Sequence, residues 1–548
     1  MSAEILYTAS VIRTMDSSMP IAEAVVVLDG HIVAVGAIDD LTSRFPDAVR
    51  DDRFADNVLL PGFVEAHAHR LEGGVWGFPY VGYFPRSDPD GRRWDGCRSI
   101  DEVVARLREI ERSMIDADEP LIAWGLDPIY FAGDRLVASH LDRVSSSRPI
   151  FIMHANLHIA TVNSELMRSC GIDRTIDIEG LPKDANGDPV GELQELVGMS
   201  LAGNILMRLF ASSGSPEATR RFGQLACNAG ITTVTDLGST GLGSDGPVDD
   251  YDAVVNDPTF PARISVFFNP AFAGGNIERC VDRIAELRAC STEKLRFGHV
   301  KIVIDGSIQG FTARLLPPGY FGDQPNGIWL VAPEQVMSQV RAFHDAGLMI
   351  HAHCNGDEAA EVFLDAVEAA LAANPRSDHR HTVQHCQLTT GDQYLRMRQL
   401  GLCANLFANH TYYWGDQHAA LTVGPNRAAT MNAARTALDV GVPMSMHCDA
   451  AVTPLGSLHV AWCAVNRVTA TGVVLGPDER ISVAEALHAI TIGAAYQLHM
   501  DHEIGSITEG KRADFAVLES DPLEVDPMSL KDIAVWGTVV GGVPFQAQ

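Results

Sequence analysis

Four apolar, strand-like runs, far apart in this chain, each finish on residues of metal-ligand type. The first, Pro61-Gly62-Phe63-Val64-Glu65-Ala66-His67-Ala68-His69, ends on two histidines two apart, so both side chains leave the strand on one side. Imidazoles so placed reach a single ion at about 2 Å. Met349-Ile350-His351-Ala352-His353 is the second run and Thr382-Val383-Gln384-His385 the third. The fourth, Pro443-Met444-Ser445-Met446-His447-Cys448-Asp449, ends on a carboxylate. A parallel barrel gathers distant strand ends onto one face, and its catalytic groups sit at the C-terminal ends of the strands. Unrelated surface or core histidines would not each close an apolar run. His67, His69, His353, His385 and Asp449 are therefore the predicted ligands of a divalent metal, a set suited to zinc, manganese or iron.

The rest of the chain has room for such a barrel. Apolar runs alternate with helical stretches in the βα manner of a parallel sheet. Predicted barrel strands are Gly62–His67, Thr232–Asp236, Ala262–Phe268, Val300–Asp305, Met349–His353, Thr382–His385, Leu402–Leu406 and Pro443–Asp449, eight in all. The expected fold is α/β, a (β/α)8 TIM-like barrel over residues 61–502. Pro333 to Ala346 reads as an amphipathic helix, and Ser482 with Glu485 as a capping box. The gap at about 71–230 is too long for one βα unit. It carries its own predicted elements, Ile100–Ile115 and Pro149–His154, and reads as a large insertion after the first barrel strand. Both ends are β-rich. Ala24–Leu28, the turn Asp29-Gly30 and His31–Val35 form a predicted hairpin, answered by Ala513–Leu518 and Ile533–Val540. Residues 1–60 and 503–548 are expected to share a small β-sandwich domain.

Composition excludes some function classes. Lys plus Arg number 41 against 70 for Asp plus Glu, a formal charge of −29, which repels nucleic acid and anionic membranes. Ten cysteines form no CxxC pair, so a cysteine zinc knuckle or thioredoxin-like site has no support. The start, MSAEILYTAS, has neither a basic region nor a long apolar one, and no apolar run reaches membrane-spanning length; the expectation is a cytoplasmic protein.

Lys301 stands inside the apolar run Val300-Lys301-Ile302-Val303-Ile304-Asp305, where an unpaired ammonium is costly. Either it snorkels or pairs with a carboxylate, or it approaches the metal site. An ammonium has three donors and no acceptor, so as a ligand it must be deprotonated or carbamylated.

In this order the motifs resemble the amidohydrolase superfamily, and within it the YtcJ-like branch that includes N-substituted formamide deformylases. The resemblance runs from Asp29-Gly30-His31-Ile32-Val33-Ala34-Val35-Gly36 and Pro61-Gly62-Phe63 through Gly230-Ile231-Thr232-Thr233-Val234-Thr235-Asp236, Lys301 to Ser307 and His353-x-x-Gly356-Asp357. It closes with Ile504-Gly505-Ser506-Ile507 and Gly510-Lys511-Arg512-Ala513-Asp514. It implies that His67 and His69 bind one metal, that His353 and His385 bind a second or shared one, and that Lys301, as N6-carboxylysine, bridges. It implies zinc, one or two per chain, with Asp449 both ligand and general base, and a homodimer or larger assembly. Two positions depart from the pattern: Glu65 stands where relatives often have Asp, and His447-Cys448-Asp449 where they often have Gly-Ser-Asp, which would bring a bulky imidazole toward the pocket.

The chemistry expected of such a centre is hydrolysis. His351, His154 and His158 are candidate stabilisers of an oxyanion. The stretch Gly74 to Pro85, with Trp76, Phe78, Tyr80 and Tyr83, reads as an aromatic loop near the barrel mouth, joined by Tyr412, Tyr413 and Trp414. Such a wall fits an apolar or aromatic small-molecule substrate; packing of the insertion against the barrel is the other reading. The function expected is cleavage of an amide C–N bond. Esterase, lactonase or cyclic amidase activity on the same centre is the first alternative, and a deaminase, a decarboxylase or a non-catalytic binding relative the further ones.

Overall fold

The computed structural model describes residues 3–131, 135–239, 241–243, 248–273, 276–322 and 324–548. Its centre is an eight-stranded parallel sheet, β1 (Phe63–Glu65), β2 (Ile231–Asp236), β3 (Arg263–Phe268), β4 (Leu295–Val303), β5 (Ile350–Cys354), β6 (Thr382–His385), β7 (Cys403–Leu406) and β8 (Met444–Met446), each bonded to the next in that order. Its strands are almost wholly buried, as expected when helices cover one face and the barrel interior the other. Phe63, Val234, Ile264, Ile350, Val383 and Leu406 belong to the main apolar cluster. No ladder joins β8 to β1. The seam closes just beyond the strand ends, where the Asp449 N–H donates to the His67 carbonyl (3.1 Å) and the His69 N–H to that of Ala450 (2.7 Å).

All eight expected strands are present. The first and last are shorter than their sequence ranges because residues 66–69 and 447–449 leave the ladder at the barrel mouth. The Pro333–Asp345 helix and the Ser482–Glu485 capping box are also as expected.

The terminal residues build one seven-stranded mixed sheet, ordered Val543–Gln546, Val535–Val540, Phe515–Leu518, Val49–Pro61, Ile5–Arg13, Ile21–Leu28, His31–Gly36. The sandwich is this single sheet curled until its edges meet. Gly30 at one edge lies against Gly541 at the other, and the Tyr7 hydroxyl donates to the Gly542 carbonyl at 2.8 Å. Asp29 (φ 49°) and Gly30 (φ 76°) make the tight turn, with Leu28 paired to His31.

Between β1 and β2 the chain forms a second body with its own four-stranded sheet, in spatial order Glu192–Gln194, Ile159–Val162, Ile150–His154, Leu121–Leu126. Its helix Ile100–Ser113 starts at Ser99, whose side chain accepts the Glu102 N–H. Its own apolar cluster includes Trp124, Phe151 and Leu193. It sits over the barrel mouth, held there by Arg86 Nη1 on the Ala451 carbonyl (2.8 Å) and Asn156 Nδ2 on Ser307 Oγ (3.1 Å). Among the described residues no single helix is long and apolar enough to cross a membrane.

Candidate metal centre

Residues that the sequence spreads over 383 positions meet at the C-terminal end of the barrel. His67 Nε2 and His69 Nε2 lie 3.4 and 3.1 Å from Asp449 Oδ1. Lys301 Nζ is 3.0 Å from His67 Nε2. On the other side His353 Nδ1 faces His385 Nε2 at 2.9 Å, and His385 Nδ1 is 3.6 Å from Asp449 Oδ2. Strand register sets this up: Val303 pairs with His353, and Cys354 with His385, so adjacent strands deliver their ends at one level.

The partners of the far ring edges decide what the near edges can do. His67 Nδ1 lies 2.6 Å from Gln384 Oε1 and so carries the proton, which leaves the Nε2 lone pair toward Asp449 and Lys301. Gln384 is itself held: Asn405 Nδ2 donates to its Oε1 (2.8 Å), and its Nε2 donates to His351 Nδ1 (2.8 Å). His353 Nε2 donates to the Gly306 carbonyl (3.1 Å), which turns the Nδ1 lone pair to His385. Fixing each imidazole through its outer nitrogen is how proteins orient metal ligands. Asp449 Oδ1 and His385 Nδ1 are buried without any hydrogen bond. Buried lone pairs left unspent in this number are expensive unless a cation takes them. The donor set, imidazoles with a carboxylate, suits a divalent transition metal.

Electrostatics agree. Burial drives His67, His353 and His385 well below the ordinary histidine range, so they are neutral imidazoles. Burial pushes Asp449 upward, but the close contact with His69 and the neighbouring positive charges outweigh it, and the carboxylate stays ionised. Burial pulls Lys301 down to about 7, with Asp449 opposing. Glu65, pushed up to about 8 by burial, accepts from the backbone N–H of His67 (3.1 Å) and of Cys448 (3.2 Å), tying the first ligand strand to the last. His447 stacks on His67 with centroids 4.6 Å apart, and with His67 and His385 it forms a buried group whose ring nitrogens lie close enough together to hold a metal ion. It does not reach the cavity, and both its ring nitrogens are buried without a partner.

Above the ligands opens a cavity of about 1190 Å³, large for a small-molecule site, with His67, His69, Lys301, His353 and Asp449 in its lining. Its walls are mostly apolar: Leu157, Ile178, Leu196 and Phe210 come from the insertion, Ile277 and Trp329 from barrel loops. His158 enters from the insertion. Its Nδ1 is 2.7 Å from Glu195 Oε2, and its ring lies 5.3 Å from that of His353. Burial pulls its pKa down, but the Glu195 charge and hydrogen bond outweigh this and raise it.

Several expected site residues lie elsewhere. His351 sits one layer deeper in the barrel, between Gln384 and Phe267 (4.4 Å), because it precedes His353 by two on the same strand face. His154 is buried in the insertion sheet on Thr161 Oγ1 (2.8 Å), with its pKa pulled to about 3 by burial. None of Trp76, Phe78, Tyr80, Tyr83, Tyr412 and Trp414 lines the cavity over the metal ligands. The chain turns helical at Leu71–Val75 and carries Trp76, Phe78, Tyr80 and Tyr83 away into the insertion, while Tyr412 and Trp414 sit on the helix His410–Gln417. Trp76 packs edge-on to Trp124 (4.9 Å) and donates to Glu72 Oε1, Phe78 offers its carbonyl to Trp124 Nε1, and the Tyr80 hydroxyl donates to the Phe84 carbonyl. Tyr83 stacks on Tyr130 (4.7 Å), Tyr412 meets Trp462 (5.6 Å), and Trp414 Nε1 donates to Asp127 Oδ2 (2.8 Å). Bulky rings with a polar handle build a joint between two bodies as readily as a pocket wall.

Sequence reasoning missed Gln384, Glu195 and the role of Asp305. Asp305 closes an apolar run just as Asp449 does; it lies 3.6 Å from His353 Nε2, and burial pushes it up to about 7. Glu195 was visible only as a carboxylate in the apolar stretch Leu193 to Val197.

Residues 55–545 match the amidohydrolase family, and residues 24–48 a bacterial imidazolonepropionase-like composite domain. The chain is 28% identical to Protein LONG AFTER FAR-RED 3 of Arabidopsis thaliana over 98% of its own length and 91% of the relative. It is 27% identical to the N-substituted formamide deformylase of Arthrobacter pascens, covering 97% of this chain and 96% of that one. An uncharacterized metal-dependent hydrolase from Pyrococcus horikoshii OT3 shares the fold, with a TM-score of 0.70, 18% identity and coverage of 96% and 99%.

Proposed function

We propose, on the premise that this chain belongs to the amidohydrolase family, that it is a metal-dependent hydrolase cleaving the C–N bond of an amide with an apolar or aromatic group. The observation carrying this reading is the convergence of neutral imidazole lone pairs and the unpartnered Asp449 Oδ1 at the floor of a large apolar cavity. His67, His69 and Asp449 would hold one divalent metal, zinc first, and His353 with His385 a second. Lys301 lies between the two groups. With its pKa near 7, much of it is free amine at neutral pH, the form that carbon dioxide carboxylates into a bridging ligand.

The bound metal supplies a strong nucleophile at neutral pH and polarises the scissile carbonyl. Asp449, ionised at the cavity floor, takes the proton of the attacking water and returns it to the leaving nitrogen. His158 reaches the cavity from the opposite wall, in position to donate to the oxygen on which negative charge grows. The apolar walls bind the substrate's apolar part and exclude bulk water. The N-substituted formamide deformylase relative, named for an amide substrate, supports an amide over an ester.

The test is turnover of paired aryl and alkyl amides, formamides first, and their matched esters, before and after metal removal. Amide turnover that disappears on chelation and returns with zinc supports the reading. Turnover of the esters alone, or turnover indifferent to chelation, overturns it.

A further inference from the structure

The buried carboxylate of Glu195 has no place in the chemistry above, yet the fold goes to some length to put it there. Glu195 is 1% exposed and adopts φ 56°, a left-handed conformation unusual for glutamate, right at the start of the Glu195–Met199 helix. Strain of this kind persists where the surroundings over-determine it, and functional sites are where it collects. The surroundings here are specific. Ile159 pairs with Gln194 at the end of an antiparallel ladder, so His158 and Glu195 are the next facing residues. Two bonds join them: the Glu195 N–H donates to the His158 carbonyl (2.6 Å), and His158 Nδ1 donates to Glu195 Oε2 (2.7 Å). On the other side of the loop Leu157 is also left-handed (φ 61°), and Asn156 clamps the turn, its Oδ1 accepting the His158 N–H (2.9 Å) and its Nδ2 reaching Ser307.

The barrel makes room for this carboxylate. A side chain at residue 306 would collide with Thr312 and place Cβ 2.5 Å from Glu195 Oε1, so Gly306 leaves space that both side chains use. Glu195 Oε1 is itself buried with no partner. With its Nδ1 committed to Glu195, His158 turns its other ring edge to the cavity above the metal ligands.

The geometry points to Glu195 as a positioning residue: we propose that it fixes the tautomer and orientation of His158 so that Nε2 meets the substrate carbonyl. The insertion thereby completes a site that the barrel alone leaves one donor short. This rests on the reading of His158 given above. Glu195 borders the same cavity, and its proposed role is exerted through His158.

Two measurements test it. In histidine-labelled enzyme with its metal, the Nδ1–H of His158 gives a slowly exchanging NMR signal, assigned by its absence in His158→Gln and lost in Glu195→Gln. Its absence from the wild type overturns the proposal without any assay of turnover. Kinetics then compare Glu195→Gln, His158→Gln and the double variant on whichever amide or ester the wild type turns over, so loss of the amide reading alone leaves the comparison standing. Expected is a fall in kcat of about 100-fold in each single variant with KM within about twofold, no further fall in the double variant, and partial recovery in Glu195→Asp. Metal content stays at the wild-type value throughout. Effects that multiply in the double variant, or a Glu195→Gln enzyme with wild-type kcat, overturn it.

Discussion

The two ends of the barrel strands both collect histidines, and they treat them in opposite ways. At the N-terminal ends of β5 and β6 the buried trio His344, His379 and His381 forms a closed chain. His344 Nε2 donates to the Asn374 carbonyl (2.7 Å), and its Nδ1 meets His381 Nε2 (2.9 Å). His381 Nδ1 accepts the Ile350 N–H (3.1 Å). His379 Nδ1 accepts the His381 N–H (3.0 Å), and its Nε2 donates to the Leu400 carbonyl (2.9 Å). Every ring nitrogen is spent. At the C-terminal ends the outer nitrogens of His67 and His353 are equally well tied, but His67 Nε2 faces Asp449 and Lys301, and Asp449 Oδ1, His385 Nδ1 and both ring nitrogens of His447 are buried without a hydrogen bond. A crowd of buried histidines is therefore not by itself a metal site. What marks one is the direction in which the unspent lone pairs point, and here that separates a site of chemistry from a structural clasp.

The contrast can be broken at either end. The largest effect expected is at the mouth: Asp449→Asn should lower kcat by about 10³-fold or more while metal content, read by elemental analysis, stays near the wild-type value. Full activity in that variant would remove Asp449 from proton transfer. At the other end, His381→Gln should leave kcat and metal content unchanged but cost about 1–3 kcal/mol of stability in denaturant titration, by leaving buried partners unpaired. Loss of metal there would erase the distinction.

A smaller effect follows from pH. Burial first, and then neighbouring charges, hold His381 well below its ordinary 6.5, and burial lowers His379 despite its bond to Leu400. Their contribution to stability is fully present above about 6.5. As pH falls below that, the unfolded chain takes up protons that folded His379 and His381 refuse, so stability drops with acidity until the folded values are reached. His381→Gln should flatten this slope, measured by melting between pH 7 and 5. Smallest of all, Tyr83→Phe should leave KM within about twofold, because that ring packs on Tyr130 and Phe131 inside the insertion and does not line the cavity; a large rise in KM would return it to the pocket.

The same contrast explains what could be read from the sequence. The barrel was legible because its strands are short apolar runs, six of the eight with a polar residue at the end, and His67, His69, His353, His385 and Asp449 were legible because they obey that rule together. The Asp-Gly hairpin and the Ser482 cap were legible from local chemistry alone. Aromatic residues carry no such directional mark. Trp76, Tyr83 and Trp414 have the composition of a pocket wall, and only tertiary packing sends Trp76 and Tyr83 into the insertion and Trp414 to the joint. His351 shows the limit of period two: it shares a face with His353, but two residues back along a strand means one layer down in a barrel. Gln384 and Glu195 act by orienting imidazoles from distant elements, which no local pattern reveals.

The central claim is that the unspent lone pairs at the barrel mouth hold a divalent metal that the enzyme needs for hydrolysis. Elemental analysis of protein purified without chelator tests it most directly, run on the wild type and on His67→Ala/His69→Ala and paired with turnover of an aryl formamide. The account predicts one or two metals per chain in the wild type, reduced in the double variant in parallel with activity. Wild-type protein that carries no metal, takes up no zinc and still turns over its substrate would contradict it.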